Sequence, residues 1–162
     1  MGRDVVQKSS SRRQAGSVSA DAAVIVLDTH AWLWLCVEPQ RLSAPATRAI
    51  RAAVSRGGLA IASITLWELA MMLARGRVIP RGTPEAWLGE LIDRSGVVVK
   101  EITPAVAALA THFPEDFPGD PADRLIAATA RAEGVPLVSR DAALRASAVN
   151  RMVCSWQSPV GV

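Results

Sequence analysis

Hydrophobic and polar positions divide the chain into short apolar runs separated by helix-start and turn signals. Val24-Ile25-Val26-Leu27 has no polar alternation and ends in Asp28, the pattern of a strand buried on both faces of a parallel sheet. The apolar stretch Ala31 to Val37 follows at once, so a helix begins at Thr29 or His30 and stops before Glu38-Pro39. Ser43-Ala44-Pro45 is a cap followed by early proline and predicts a helix to Arg56, ended by Gly57-Gly58. A second buried strand follows at Leu59 to Ala62, and Ser63 caps a helix from Ile64 to about Arg75.

The same alternation continues to the C-terminus. Thr83-Pro84-Glu85 opens a helix to Ser95, Val97 to Glu101 is a third strand, and Thr103-Pro104 starts a helix to Thr111. Phe113 to Gly119 is a loop holding two prolines, Pro114 and Pro118. Asp120-Pro121 opens an Ala-rich helix to Glu133, and Gly134-Val135-Pro136 turns the chain into a fourth strand, Leu137 to Ser139. Asp141 starts a short helix to about Ala148, and Val149 to Ser155 supplies a last strand. Strands alternating with helices through short connections predict an α/β fold, a three-layer α/β/α sandwich with a mostly parallel central sheet.

Composition changes this picture little. At 162 residues, 50% hydrophobic and 20% charged, the chain is globular and long enough for one substantial core. Residues 23–162 form that domain. Residues 1–22 are a polar tail with Arg3, Lys8, Arg12 and Arg13 against Asp4, and we expect it to be disordered. Cys36 and Cys154 form no metal-spaced pair and read as reduced core residues, which fits a cytoplasmic setting. The apolar run Leu59 to Ala74 carries Glu68 and is shorter than the roughly 20 residues of a spanning helix, so no membrane association is expected. All basic residues but Lys8 and Lys100 are arginine, yet the net charge of +3 does not imply nucleic-acid binding by itself.

The carboxylates carry the candidate chemistry. Asp28 leaves the end of a buried strand, at the rim where open α/β sheets place ligands. Glu68 stands inside Ile64-Thr65-Leu66-Trp67-Glu68-Leu69-Ala70-Met71-Met72-Leu73, apolar nearly all round. A carboxylate there must be paired, protonated or bound to a cation: either a salt bridge to Arg75 or Arg124, or a site role one turn in from the rim. Asp120 and Asp123 bracket a helix start, which is ordinary capping chemistry. That helix runs antiparallel to the fourth strand, however, so its start lies at the same rim. Asp141 leaves the end of the fourth strand, where it is either a cap or a site acid. Asp28, Glu68, Asp123 and Asp141 gathered at one edge would repel one another unless a cation neutralised them, and an all-oxygen donor set points to Mg²⁺ or Mn²⁺.

Other chemistries are poorly represented. There is no phosphate-binding Gly-x-x-x-x-Gly-Lys loop and no Gly-x-Gly-x-x-Gly turn. His30 and His112 are too few for a zinc site without acids. His30 also occupies the position two after Asp28 where an aspartyl phosphatase needs its second acid. Trp32, Trp34, Trp67 and Trp87 fall in or beside apolar helix segments and read as core or interface.

Val26-Leu27-Asp28-Thr29-His30, Ser63 through Ala70, Asp120-Pro121-Ala122-Asp123-Arg124-Leu125-Ile126-Ala127-Ala128-Thr129-Ala130 and Pro136-Leu137-Val138-Ser139-Arg140-Asp141, in that order, resemble PIN-domain proteins. Within them the likeness is to the VapC-like toxins of type II toxin–antitoxin systems. The resemblance implies a Mg²⁺- or Mn²⁺-dependent endoribonuclease, a homodimer and inhibition by a cognate antitoxin. Asp28, Glu68, Asp123 and Asp141 match the family's acidic quartet as catalytic and metal-binding residues, and Asp120 matches a further acid of the subgroup. Arg124 and Arg140 adjoin site acids and are candidates to hold RNA, as are the hydroxyls of Thr29 and Ser139. The competing reading is a catalytically silent interaction module whose acids serve only as caps and ion pairs. The apolar helices Ala31–Val37 and Ile64–Leu73 are expected to contribute to a dimer interface and an antitoxin groove.

Overall fold

The computed structural model describes residues 24–141, Leu144 and the backbone of Val153–Cys154. The tail and most of the chain after Asp141 lie outside the described residues, including the body of the short helix expected to follow Asp141.

Among the described residues five strands form one sheet: β1 (Val24–Leu27), β2 (Gly58–Ala62), β3 (Val98–Lys100), β4 (Leu137–Val138) and β5 (Val153–Cys154). Their order is β3-β2-β1-β4-β5 and every pairing is parallel. The helices are α1 (Thr29–Val37), α2 (Ala44–Arg56), α3 (Ile64–Ala74), α4 (Pro84–Ser95), α5 (Pro104–Thr111) and α6 (Pro121–Glu133). A 3₁₀ turn at Pro39–Arg41, absent from the sequence expectation, follows α1 where Pro39 denies the helix a backbone donor.

The pleat sorts the strand residues onto two faces. Ile25, Leu27, Leu59 and Ile61 pack with Trp32, Leu33, Ile50, Leu69 and Leu91 from α1 to α4. Val26, Ala60, Ala62 and Leu137 face Val106, Ala110, Phe113, Phe117, Ile126 and Ala127 from the α5–α6 side. Alanines on both β2 and α6 bring that helix close to the sheet. This is the predicted three-layer arrangement, and the buried β1 run is its centre.

The helix starts follow local chemistry. The side chains of Asp28, Ser43, Thr83, Thr103 and Asp120 each accept a backbone N–H of the turn they begin. Ser63 departs from expectation: it is itself helical (φ −58, ψ −29) and its hydroxyl caps nothing. Its N–H instead donates to the Lys100 carbonyl, extending the β2–β3 ladder into the first turn of α3. At the other end of α6, Gly134 takes φ +67 and reverses the chain into β4.

The sheet order reverses between β1 and β4, since the chain leaves β1 toward β2 on one side and returns to β4 on the other. Ligands of open α/β sheets bind in the crevice outside the strand C-termini at such a switch point. Among the described residues no helix is long and apolar enough to cross a membrane.

Candidate active site

Parallel β1, β2 and β4 end on one edge, so the residues that follow them share a rim. Asp28 is 5% exposed. Its N–H donates to the Val138 carbonyl at 3.0 Å. One carboxylate oxygen accepts from the Ala31 N–H at 2.6 Å, and the other accepts from the Arg140 N–H at 3.2 Å across the β1/β4 crevice. Ser139, fully buried, also hydrogen-bonds the Asp28 carboxyl. Burial pushes that carboxyl above the ordinary range, while the hydrogen bonds and the nearby His30 oppose the rise.

Glu68 arrives from α3. The Thr29 hydroxyl donates to its Oε2 at 2.5 Å. The expected alternative, an ion pair with Arg75 or Arg124, does not occur. Burial raises the Glu68 carboxyl, as do the charges of Asp120 and Asp28, and the Thr29 bond partly offsets them. Thr29, a candidate substrate-binding residue, is therefore engaged in holding the candidate acid Glu68. Thr29→Val should lower catalytic turnover about 10–100-fold, the usual cost of losing a partner that orients a site ligand, while Thr29→Ser stays near wild type. Steady-state kinetics on a cleaved RNA read the difference.

Asp120 and Asp123 come from the start of α6. Asp120 caps the helix, accepting from the Ala122 and Asp123 N–H groups at 2.8 and 3.3 Å. Asp123 is half-buried in the first turn of α6. Burial first, then the charges of Asp120, Asp141, Glu68 and Asp28, push its carboxyl up to about 7. Asp141 accepts from the Leu144 N–H at 3.1 Å, and its own N–H donates to the Ser139 hydroxyl at 2.9 Å. Four acids dispersed along the chain thus bear on Asp123. They do not stand as a closed cage: among the described residues no three His, Cys, Asp or Glu side chains are grouped as ligands of one ion. Asp28 and Glu68 spend oxygens on hydrogen bonds, and Asp120 and Asp141 spend theirs on backbone N–H groups. The donor set nonetheless fits a hard divalent cation, being all oxygen and carrying negative charge in excess.

The arginines separate. Arg140 is exposed, with its guanidinium 5.3 Å from the Trp34 ring centre; Arg41 lies over the same ring at 4.6 Å. Arg124 is spent differently from the expectation. Its guanidinium donates to the carbonyls of Pro118, Ala110, Phe117 and Pro114 and lies 5.7 Å from the Phe117 ring, so it ties the 113–118 loop to α6. Sequence adjacency to Asp123 misled here, because one residue along a helix is a turn of about 100°. His30 is half-buried, edge-on to Trp34 at 6.0 Å. Burial lowers its imidazole most, with Arg140, Arg41 and Arg77 adding to the effect and Asp28 opposing it.

Trp67, expected as core or interface, is not core: it is 58% exposed, next to Glu68 in α3. Conversely, α1 buries Thr29, Ala31, Trp32, Leu33 and Trp34 within the chain, leaving much less of it for a partner than its composition suggested.

Residues 25–150 match the family model described as the PIN domain. The chain belongs to the PIN-domain family. It is 42% identical over 132 residues to Ribonuclease VapC22 of Mycobacterium tuberculosis (strain ATCC 25618 / H37Rv), covering 82% of this chain and 98% of that protein. Solved structures share this PIN fold. VapBC2 from Rickettsia felis, bound to a DNA fragment from its promoter, aligns with TM-score 0.63 and 15% identity over 83% of this chain and 99% of that one. FitAcB from Neisseria gonorrhoeae aligns with TM-score 0.55 and 22% identity over 81% and 96%. The PIN match takes in every candidate acid from Asp28 to Asp141.

Proposed function

We propose that this PIN domain is a VapC-type ribonuclease toxin of a toxin–antitoxin pair, an endoribonuclease hydrolysing RNA phosphodiester bonds with Mg²⁺ or Mn²⁺. The observation that carries the reading is the convergence of Asp28, Glu68, Asp120 and Asp141 on Asp123 at the β1/β4 switch point, close enough for their charges to raise its carboxyl. Kinship over nearly the whole of a ribonuclease supports it.

Asp28, Glu68, Asp123 and Asp141 would hold the ion, with Asp120 at the margin. When bound, a divalent cation there activates water and neutralises charge building on the phosphodiester. The protein supplies the setting. Asp28 is fixed between the Ala31 and Arg140 N–H groups, and Thr29 fixes Glu68. Arg140 stands at the lip, where its guanidinium can meet a phosphate oxygen. Water attacks phosphorus in line and gives up a proton to solvent, and the P–O bond breaks as the leaving oxygen takes a proton from solvent, so no covalent enzyme intermediate forms.

The activity calls for restraint, and we propose a cognate antitoxin protein as partner and a homodimer as the working form. A solved structure of the same fold, from Klebsiella pneumoniae, is a toxin–antitoxin complex. A groove of about 340 Å³ between α1 and α4, lined by Val37, Val78, Ile79, Trp87 and Leu91 together with Arg81, Glu90 and Arg94, leaves Ile79 and Val37 exposed and suits an amphipathic segment of such a partner.

Digestion of a panel of structured and single-stranded RNAs tests the reading. Cleavage should require Mg²⁺ or Mn²⁺ and stop with EDTA. Intact RNA throughout, with protein that melts cooperatively, would favour the silent interaction module instead.

A further inference from the structure

A second cavity, of about 280 Å³, opens beside the acidic crevice. Glu68 and Asp120 stand in its wall, so the cavity joins the acidic rim. Its other walls include His30 and Trp67, with Arg75 and Arg77 at the end of α3. Trp67 is the largest exposed apolar side chain of the described residues. Arg75 and Arg77 are exposed, and among the described residues neither guanidinium makes an ion pair or hydrogen bond, unlike Arg41, Arg94 and Arg124.

We infer that this groove is a nucleotide subsite: Trp67 stacks on the base next to the scissile bond, and Arg75 and Arg77 bind the phosphate beyond it. The inference rests on the ribonuclease reading and deepens it. A single-stranded chain needs two things from a neighbouring subsite, an aromatic face for a base and positive charge for the backbone. Both are present in one concavity, and at its inner end stand the acids proposed to cut the chain. Acids at one end and free guanidiniums at the other also give polarity. A phosphate is repelled from Glu68 and Asp120 unless a cation lies there, but is attracted at Arg75 and Arg77. A strand therefore enters with one phosphate at the catalytic end and the next at the arginines.

A second copy of this chain is a poorer occupant. It would have to bring anionic groups to Arg75 and Arg77 while covering Trp67 and leaving the neighbouring acids reachable by RNA. A nucleotide satisfies the same surface with its own base and phosphate.

The test is binding of a short fluorescein-labelled single-stranded RNA containing all four bases, followed by anisotropy in an Asp28→Asn background that does not cut it. Trp67→Ala should weaken binding at least about fivefold, and Trp67→Phe should restore most of it, since phenylalanine keeps a stacking face. Arg75→Ala and Arg77→Ala should each weaken binding and flatten the dependence of log Kd on log salt by about 0.7. Arg56→Ala is the control: it ends α2 beside the start of β2, at the opposite sheet edge, and should change neither quantity.

The outcomes separate the two proposals. If wild type cleaves RNA with Mn²⁺ while the groove variants bind like the parent, the subsite is wrong and the nuclease stands. The same holds if Trp67→Ala only lowers the sedimentation coefficient, which would assign the groove to contact between copies. Absence of cleavage by wild type and of binding by the parent overturns both.

Discussion

Asp28→Asn is expected to reduce RNA hydrolysis on the order of 10³-fold with little loss of stability, the scale on which removing one preorganised electrostatic group acts. The two effects separate because Asp28 has two duties. Its oxygens cap α1 through the Ala31 N–H and bridge to the Arg140 N–H across the crevice. Asparagine keeps one acceptor oxygen and caps helices as well as aspartate does. What it removes is the negative charge, in a place where burial already disfavours that charge. Folding therefore gives up one of the two backbone hydrogen bonds, which the amide nitrogen cannot accept, and relief of repulsion toward Glu68 and Asp123 offsets part of that loss. Asp28→Ala adds a second loss, since two backbone donors are left without an acceptor; it should cost about 1–3 kcal/mol in urea denaturation beyond the asparagine variant. Asparagine with undiminished cleavage would remove Asp28 from the chemistry.

The parts of this molecule that were legible in its sequence are those decided by a few consecutive residues. Val24 to Leu27 could only be a strand buried on both faces. Thr83-Pro84, Thr103-Pro104 and Asp120-Pro121 combine a capping oxygen with a residue that needs no donor, and each begins a helix. Because the strands are parallel, knowing their ends was enough to bring Asp28 and Asp141 to one rim. Glu68 followed from the cost of burying a lone carboxylate.

What escaped was direction around a helix and the reach of side chains. Arg124 adjoins Asp123 in sequence, but its side chain serves the carbonyls of the 113–118 loop. Trp67 adjoins Glu68 and remains exposed, because α3 is apolar on all sides and only tertiary contacts decide which side is covered. Thr29 follows Asp28 yet holds Glu68, a residue 39 positions away. Ser63 looked like a cap until the ladder to Lys100 took its N–H. Each of these depends on which elements become neighbours, and no local pattern encodes that.

Thermal stability without added metal should fall as pH rises toward about 7, and Mg²⁺ or Mn²⁺ should reverse the trend. The sign follows from Asp123, whose carboxyl moves from 3.8 up to about 7 on folding. Between those values the native state holds a proton that the unfolded chain has released, so raising pH favours unfolding; above about 7 both states are ionised and the effect levels off. Glu68 and Asp28 are raised as well and act in the same direction. A divalent ion needs these groups deprotonated, so its stabilisation grows over the same window. At about a hundredfold excess over its dissociation constant an ion contributes about 2.7 kcal/mol, or roughly 5–10 °C in a domain of this size. Melting curves with and without Mn²⁺ should therefore diverge little at about pH 5 and most above about pH 7. Asp123→Asn should flatten the metal-free pH profile and remove most of the ion's effect together. A metal-induced shift independent of pH, or one that survives that substitution, would place the ion elsewhere.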